Sequence, residues 1–212
     1  MSILCATEAT GYSTFISLDD RQKRIEKTAM FAKLSFDPEK QSSVAIFGQF
    51  PLFMGTKIRY RENTVTKLIE GVKIEITDIV ATQGAQLTEK NMQVTVILLS
   101  KLPVQLADFV LEKEDIFDII KELSGYNDID FKNHPKFSSH YLLKSRHKEE
   151  VRAVFNRDLI ALMEENLNYY IECKNNNLLV HNNLELLDGN DYSEALRFSE
   201  KLLENLQKVS AH

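Results

Sequence analysis

Residues 72–80 read Val-Lys-Ile-Glu-Ile-Thr-Asp-Ile-Val, and this pattern indicates a β-strand. Apolar and polar side chains alternate, with Val72, Ile74 and Ile76 on one face and Lys73, Glu75 and Thr77 on the other. Alternation of period two is typical of a strand with one face on a core and one face in water. The stretch therefore predicts a strand of an antiparallel sheet.

The segments on either side of this strand extend the prediction to a meander. Residues 56–69 precede it across Gly71, and residues 92–99 follow it after a polar turn region. The latter run is rich in β-branched residues and apolar on both faces, which predicts a central strand. The short apolar run at 44–47 is predicted as a further strand.

A helix is predicted before the meander and another after it. The first begins at Ser17, a good N-cap residue, buries Ile25 and places Arg21 on its outer face. After the meander, residues 109–111 predict a short edge strand. Residues 112–123 then have the apolar spacing of a helix.

The remainder of the chain predicts a strand–helix–hairpin–helix unit. Its parts are a strand at 137–144, one helix at 148–166, hairpin strands at 168–174 and 178–181 around three asparagines, and a last helix from Asp191. The fold class is therefore α+β: an N-terminal helix, an antiparallel β-meander, a helix, and this unit. We divide the chain into a flexible tail at 1–17, a helix-plus-meander part at 18–125, and a part at 126–212 packed against it.

The order of several short motifs resembles that of a family of uncharacterised bacterial proteins. They include Ala-Lys-Leu-Ser-Phe at 32–36, Phe-Pro-Leu-Phe at 50–53, Asp-Ile-Asp-Phe at 128–131 and Pro-Lys-Phe-Ser at 135–138. The resemblance covers about residues 18–208. It implies a fold and a bacterial setting, often beside membrane-spanning segments, but no activity and no catalytic residues. The chain departs from the family in having no transmembrane helix and in its extra residues at 104–108.

Composition excludes several functional classes. The chain has 212 residues, a net charge of −5 and a pI near 5.6, which argues against a general nucleic-acid binder. No apolar run is long enough to cross a bilayer. Cys5 and Cys173 cannot form a disulfide framework, and the N-terminus lacks the pattern of a secretory signal. We expect a cytoplasmic location and no cofactor.

The residue types that bind metals or act as nucleophiles show no strong pattern. His134, His140 and His147 lie close in sequence, but their spacing matches no zinc motif, so exposed or capping roles are favoured and no metal is predicted. His181 is predicted to face solvent from its strand. Cys173 is predicted to be a small apolar filler within a strand.

A carboxylate pair gives the main enzymatic alternative. Asp128 and Asp130 flank Ile129, so both side chains point the same way in an extended chain. Together with His134 they could form an acid–base site in the 128–147 connector region. The favoured interpretation is two solvated aspartates beside an anchored Ile129. No catalytic, cofactor-binding or metal residue is therefore assigned.

Charge is unevenly distributed along the chain. Residues 108–130 carry a net charge of −6, whereas residues 132–152 carry +4. The favoured interpretation is a surface that compensates its own charge. The alternative is peripheral association of the 132–152 basic strip with an anionic membrane surface, which would be weak without a lipid anchor.

These observations favour a non-catalytic cytoplasmic module that binds a protein partner or organises an assembly. The protein partner is not identified by any motif, and no nucleic-acid partner is expected. A homodimer through an edge strand or through the last helix is left open. The enzymatic and membrane-surface alternatives remain beside this prediction.

Overall fold

The computed structural model describes residues 18–84, 90–113 and 125–209. The helices within these ranges are α1 (Leu18–Phe31), α2 (Pro135–His140), α3 (Lys148–Val154), α4 (Arg157–Glu165) and α5 (Gly189–Val209). None of them is long and apolar enough to span a membrane. The predicted start at Ser17 lies outside the described residues.

The strands within these ranges form one antiparallel sheet. They are β1 (Ser35–Asp37), β2 (Thr56–Ile69), β3 (Val72–Gln83), β4 (Lys90–Ser100), β5 (Phe109–Lys113), β6 (Asn127–Asp128), β7 (Tyr141–Ser145), β8 (Tyr169–Lys174) and β9 (Asn177–Asn182). Their order across the sheet is β1-β2-β3-β4-β9-β8-β5-β7-β6. The α+β class and the antiparallel meander β2–β3–β4 are confirmed.

Both faces of the meander are covered, so the expectation that one face of β3 lies in water is wrong. Helices cover the face that carries Ile74 and Ile76. The opposite face is covered by residues 44–53, which form loop and two 3-10 turns, so the predicted strand at 44–47 is wrong. Glu75 and Thr77 are buried on that face, where Arg61 Nη1 lies 3.1 Å from Glu75 Oε1.

The β8–β9 hairpin joins the two halves of the sheet. β9 pairs with β4, and β8 pairs with β5, so β5 is an interior strand and not the predicted edge strand. The turn is formed by Asn175 and Asn176 with φ of 47° and 57°, as their residue type predicts. Strands from the 18–125 range and from the 126–212 range therefore lie in one sheet.

Three predicted elements after the meander need correction. Residues 137–144 are mostly the end of α2 and the start of β7, because Pro135 stands at the first turn of a short helix. The predicted helix at 148–166 is two helices: Asn156 Oδ1 accepts from Leu159 N at 3.0 Å and caps a new helix. Glu112 and Lys113 belong to β5, whereas 114–123 lie outside the described residues.

Helix α5 begins at Gly189, before the predicted Asp191. Asp191 Oδ2 accepts from Asp188 N at 2.8 Å, and Asp188 Oδ1 accepts from Gly189 N at 2.6 Å, so this pair caps the helix. Gly189 is needed because a Cβ there would lie 2.8 Å from backbone atoms of Arg24 in α1. The two helices therefore pack closely at this point.

Arg21 of α1 is buried, although the sequence places it on the outer face. Its Nη1 donates to Asp78 Oδ2 of β3 at 2.6 Å, and its Nε donates to the carbonyl of Leu187 at 2.9 Å. Asp78 also accepts from Asn63 Nδ2 at 2.9 Å and from Thr95 Oγ1 at 2.6 Å. This buried polar network fixes α1 and the start of α5 on the sheet.

Candidate functional site

An open cleft of about 580 Å³ lies between the 128–134 connector and the helices α3 and α4. The connector begins at Asp128, the last residue of β6, and its Ile129 is anchored because its N donates to the carbonyl of Leu143 in β7 at 2.8 Å. The cleft is lined by Asp128, Asp130, Phe131, Lys132, Asn133, His134, Lys148, Arg152, Phe155, Arg157 and Ile160. Its volume falls in the range of small-molecule sites.

The three residues of the enzymatic alternative all line this cleft. Asp128, Asp130 and His134 reach it from the same connector. Ile129 between the aspartates is buried, which confirms its predicted anchoring role. Asp128 is engaged in an ion pair, because Lys144 Nζ lies 3.3 Å from its Oδ1. The side chain of Asp130 is exposed.

The 132–152 basic strip does not form one surface. Its members Lys132, Lys148 and Arg152 line the cleft, whereas Lys144 pairs with Asp128 at β6. Lys136 points elsewhere, with its Nζ donating to the carbonyl of Glu164 at 2.7 Å. The folded chain thus gathers only part of the strip in one place.

Arg157 is a cleft residue that the sequence did not single out. It stands at the first turn of α4, beyond the end of the predicted strip. Its position depends on the break at Asn156, since a continuous helix would give it another direction. The sequence does contain a signal for that break: Asn156 is a good N-cap residue, and Asp158 follows it in the first turn of the new helix.

Arg152 is held in place at the wall of the cleft. Its Nη1 donates to the carbonyl of Asp130 at 2.7 Å, and its guanidinium carbon lies 5.3 Å from the centre of the Phe131 ring. A cation over an aromatic face is attracted by the ring quadrupole. One of five N–H donors is used by Asp130, so the others can face a ligand.

No protein-family model matches the chain, and no curated protein matches it in sequence. A solved structure does match its fold. The chain is similar to the crystal structure of the mycobacterial trehalose monomycolate transport factor A, TtfA. The TM-score is 0.65 with 14% sequence identity, and the match covers 87% of this chain and 93% of that chain. The likeness to TtfA extends over nearly the whole of both chains and establishes a shared fold.

Within this TtfA-like fold, the other histidines lie apart from the cleft. His140 Nε2 contacts the carbonyl of Leu167 at 2.7 Å, and His147 Nδ1 lies 3.4 Å from Glu150 Oε1. Across the described ranges, no group of three or more His, Cys, Asp or Glu side chains is arranged to hold a metal ion. His134, His140 and His147 are close in sequence, but the fold does not bring them together in space.

A second group of ionisable residues is buried in the sheet, where the prediction that His181 faces solvent is wrong. His181 is 1% exposed, stacks on Tyr170, and has Nε2 3.1 Å from Glu112 Oε1. Glu172 of the neighbouring strand accepts from Leu52 N at 2.8 Å. Burial and the nearby charge of Glu112 raise the pKa of Glu172 well above its ordinary value.

Cys173 follows Glu172 in β8 and is buried on the opposite face of the sheet, in the apolar core with Ile171 and Val180, as its predicted role as a filler requires. Burial and the charge of Asp108 raise the pKa of its thiol to about 12. A thiol that stays protonated at neutral pH is a poor nucleophile. Cys173 therefore has a packing role in β8.

Proposed function

We propose that the protein is a non-catalytic factor that binds a protein partner in a transport or assembly process at a membrane. The observation that carries the proposal is the fold shared with the transport factor TtfA over 87% of this chain and 93% of that chain. A fold alone does not determine a function, so the proposal takes from TtfA only the general class of role.

The structural roles of two histidines and a cysteine support the proposal of a non-catalytic binding factor. His181 contacts Glu112 inside the sheet, His140 contacts a backbone carbonyl, and Cys173 is packed with a raised thiol pKa. Each of these side chains has a structural partner or a structural burial site. The cleft is an open concavity lined mostly by charged and polar side chains, which suits recognition of a surface or a ligand.

Crosslinking in a native bacterial host tests this proposal. The full chain with an affinity tag is expressed from its own locus, crosslinked in intact cells and captured from the membrane and soluble fractions. We expect the same few proteins to be recovered, each of them capturing this chain when tagged in turn. Reciprocal captures that never exceed those of an unrelated tagged protein would contradict the proposal.

The enzymatic alternative rests on Asp128, Asp130 and His134, which line one cleft. Its test is a hydrolysis screen with ester, phosphoester and glycoside substrates. Turnover that is lost in both Asp130→Asn and His134→Ala, but retained in Glu149→Gln on the exposed side of α3, would replace the binding proposal with an enzymatic one. Turnover equal in all variants would exclude this site.

A further inference from the structure

The cleft gathers cations that have no partner within the part of the chain that the structure describes. Lys132, Lys148 and Arg157 reach it from the connector, α3 and α4, and none of them forms an ion pair or side-chain hydrogen bond with any described residue. Some other cations of the chain are paired, as Arg24 is with Asp188 at 2.8 Å. Unpaired cations that converge on a concavity produce a local positive potential.

The acidic residues of the lining do not cancel this charge. Asp128 is compensated by Lys144, which lies beside it at 3.3 Å. Asp130 contributes its backbone carbonyl to Arg152 and keeps its carboxylate exposed. With Lys132, Lys148, Arg152 and Arg157 in the lining, the cations outnumber the carboxylates by two to one. The cleft is therefore suited to an anion that carries several oxygens.

The chemistry of the cations points to a phosphate group. Arg152 is held by Asp130 and Phe131, so its planar guanidinium is preorganised to donate two parallel hydrogen bonds. Lys148 and Arg157 supply additional charge from neighbouring helices. Phosphate oxygens match both the fork of an arginine and the point charge of a lysine.

The rest of the lining indicates that the phosphate carries an organic group. A volume of about 580 Å³ exceeds what a free phosphate ion needs, and the half-buried Phe131 provides apolar surface beside the cations. We propose that the cleft binds a phosphate ester, with its phosphate at Arg152, Arg157 and Lys148 and its organic part against Phe131. This inference goes beyond the proposed protein partner and does not depend on it.

Phosphate esters reach such a cleft either as free small molecules or as lipid headgroups, and two binding assays distinguish these sources. Calorimetry with phenyl phosphate and with inorganic phosphate measures binding of the free ester. Sedimentation with phosphatidylcholine vesicles, with and without phosphatidylglycerol, measures binding of the headgroup. We expect phenyl phosphate to bind more tightly than inorganic phosphate, or the phosphatidylglycerol vesicles alone to sediment the protein. Either affinity should fall as salt is added.

Charge reversal locates the binding. We expect the double variant Lys148→Glu/Arg157→Glu to weaken the apparent affinity by about tenfold or more, since two attractions become repulsions. The matched control is Lys57→Glu/Lys101→Glu, which makes the same charge change at exposed positions away from the cleft. It should leave the affinity within about twofold of the wild type, because distant exposed charges are screened.

A further variant separates lost binding from lost folding. Lys148→Gln/Arg157→Gln removes both charges without adding repulsion, and we expect an intermediate loss of affinity with an unchanged unfolding midpoint. The proposal is overturned if neither phenyl phosphate nor phosphatidylglycerol vesicles bind. It is equally overturned if the cleft variants and the Lys57→Glu/Lys101→Glu control bind alike.

Discussion

Asp78 is the acceptor at the centre of the buried network, and its replacement by alanine should destabilise the fold strongly. The carboxylate is 2% exposed and accepts from Arg21, Asn63 and Thr95. In Asp78→Ala, Arg21 keeps its hydrogen bonds to the Leu187 carbonyl and to Thr95 Oγ1 but loses its only ion-pair partner among the described residues, and its charge remains buried. Burial lowers the pKa of Arg21, but the hydrogen bond to Asp78 and the charge of Asp78, together with Tyr192, raise that pKa by more.

The size of the effect follows from what remains unpaired. Breaking a buried ion pair by removing one partner costs about 3–5 kcal/mol, because the other charge stays in a poorly solvated site. Because Arg21 keeps its hydrogen bonds to the Leu187 carbonyl, we expect the cost of Asp78→Ala to fall in the lower half of that range. Asp78→Asn keeps an oxygen acceptor for Thr95 and should cost less than Asp78→Ala.

Urea unfolding followed by circular dichroism measures these free energies. The control is Lys208→Ala, which breaks an exposed pair with Asp158 and should cost about 0–1 kcal/mol. In the double variant Arg21→Ala/Asp78→Ala, the loss should be smaller than the sum of the two single losses, because no buried charge is left alone. If Asp78→Ala costs no more than Lys208→Ala, the reasoning about the buried pair is refuted.

Three further predictions concern the packing of the sheet and helices. Glu172→Gln should become increasingly stabilising relative to the wild type as pH rises above 4.5. The pKa of Glu172 is higher in the folded than in the unfolded state, so the wild type loses stability as this carboxyl is deprotonated. A difference in unfolding free energy between variant and wild type that stays constant from mild acid to mild alkali would contradict this. Gly189→Ala should cost about 1–3 kcal/mol in urea unfolding through its clash with α1, while Gly48→Ala, with open space at its Cβ, should change little; equal losses would refute the clash. In a Cys5→Ser background, Cys173 should react with a thiol reagent only after denaturation, and fast labelling of the native protein would show that it is accessible.

The local elements were predictable because their signals are local. The alternation at 72–80 predicts β3, and the asparagines at the hairpin predict its turn. Asp78 lies on the same face of β3 as Ile74 and Ile76. Because a buried charge is normally paired, a carboxylate on that apolar face predicts a buried cation beside it. Arg21 lies four residues before Ile25 on one face of α1, but a sequence read element by element does not connect two segments so far apart.

The candidate site was predicted in part for the same reason. Asp128, Asp130 and His134 belong to one short connector, and their neighbourhood could be inferred from sequence. Arg157 joins them only because the chain breaks its helix at Asn156 and turns. The burial of His181 depends on the pairing of β9 with both β4 and β8, which no local pattern specifies.

The position of the β8–β9 hairpin has a consequence for synthesis of the chain. β1 to β4 are contiguous in sequence and can pair as soon as they leave the ribosome, but β5 obtains its neighbour β8 only after Tyr169 has emerged. Until β8 and β9 have both emerged, one edge of β4 and one edge of β5 lack a neighbouring strand, and exposed strand edges invite aggregation. Because pairings distant in sequence are slow to form, a truncated chain lacking the hairpin would depend on chaperones far more than the complete one.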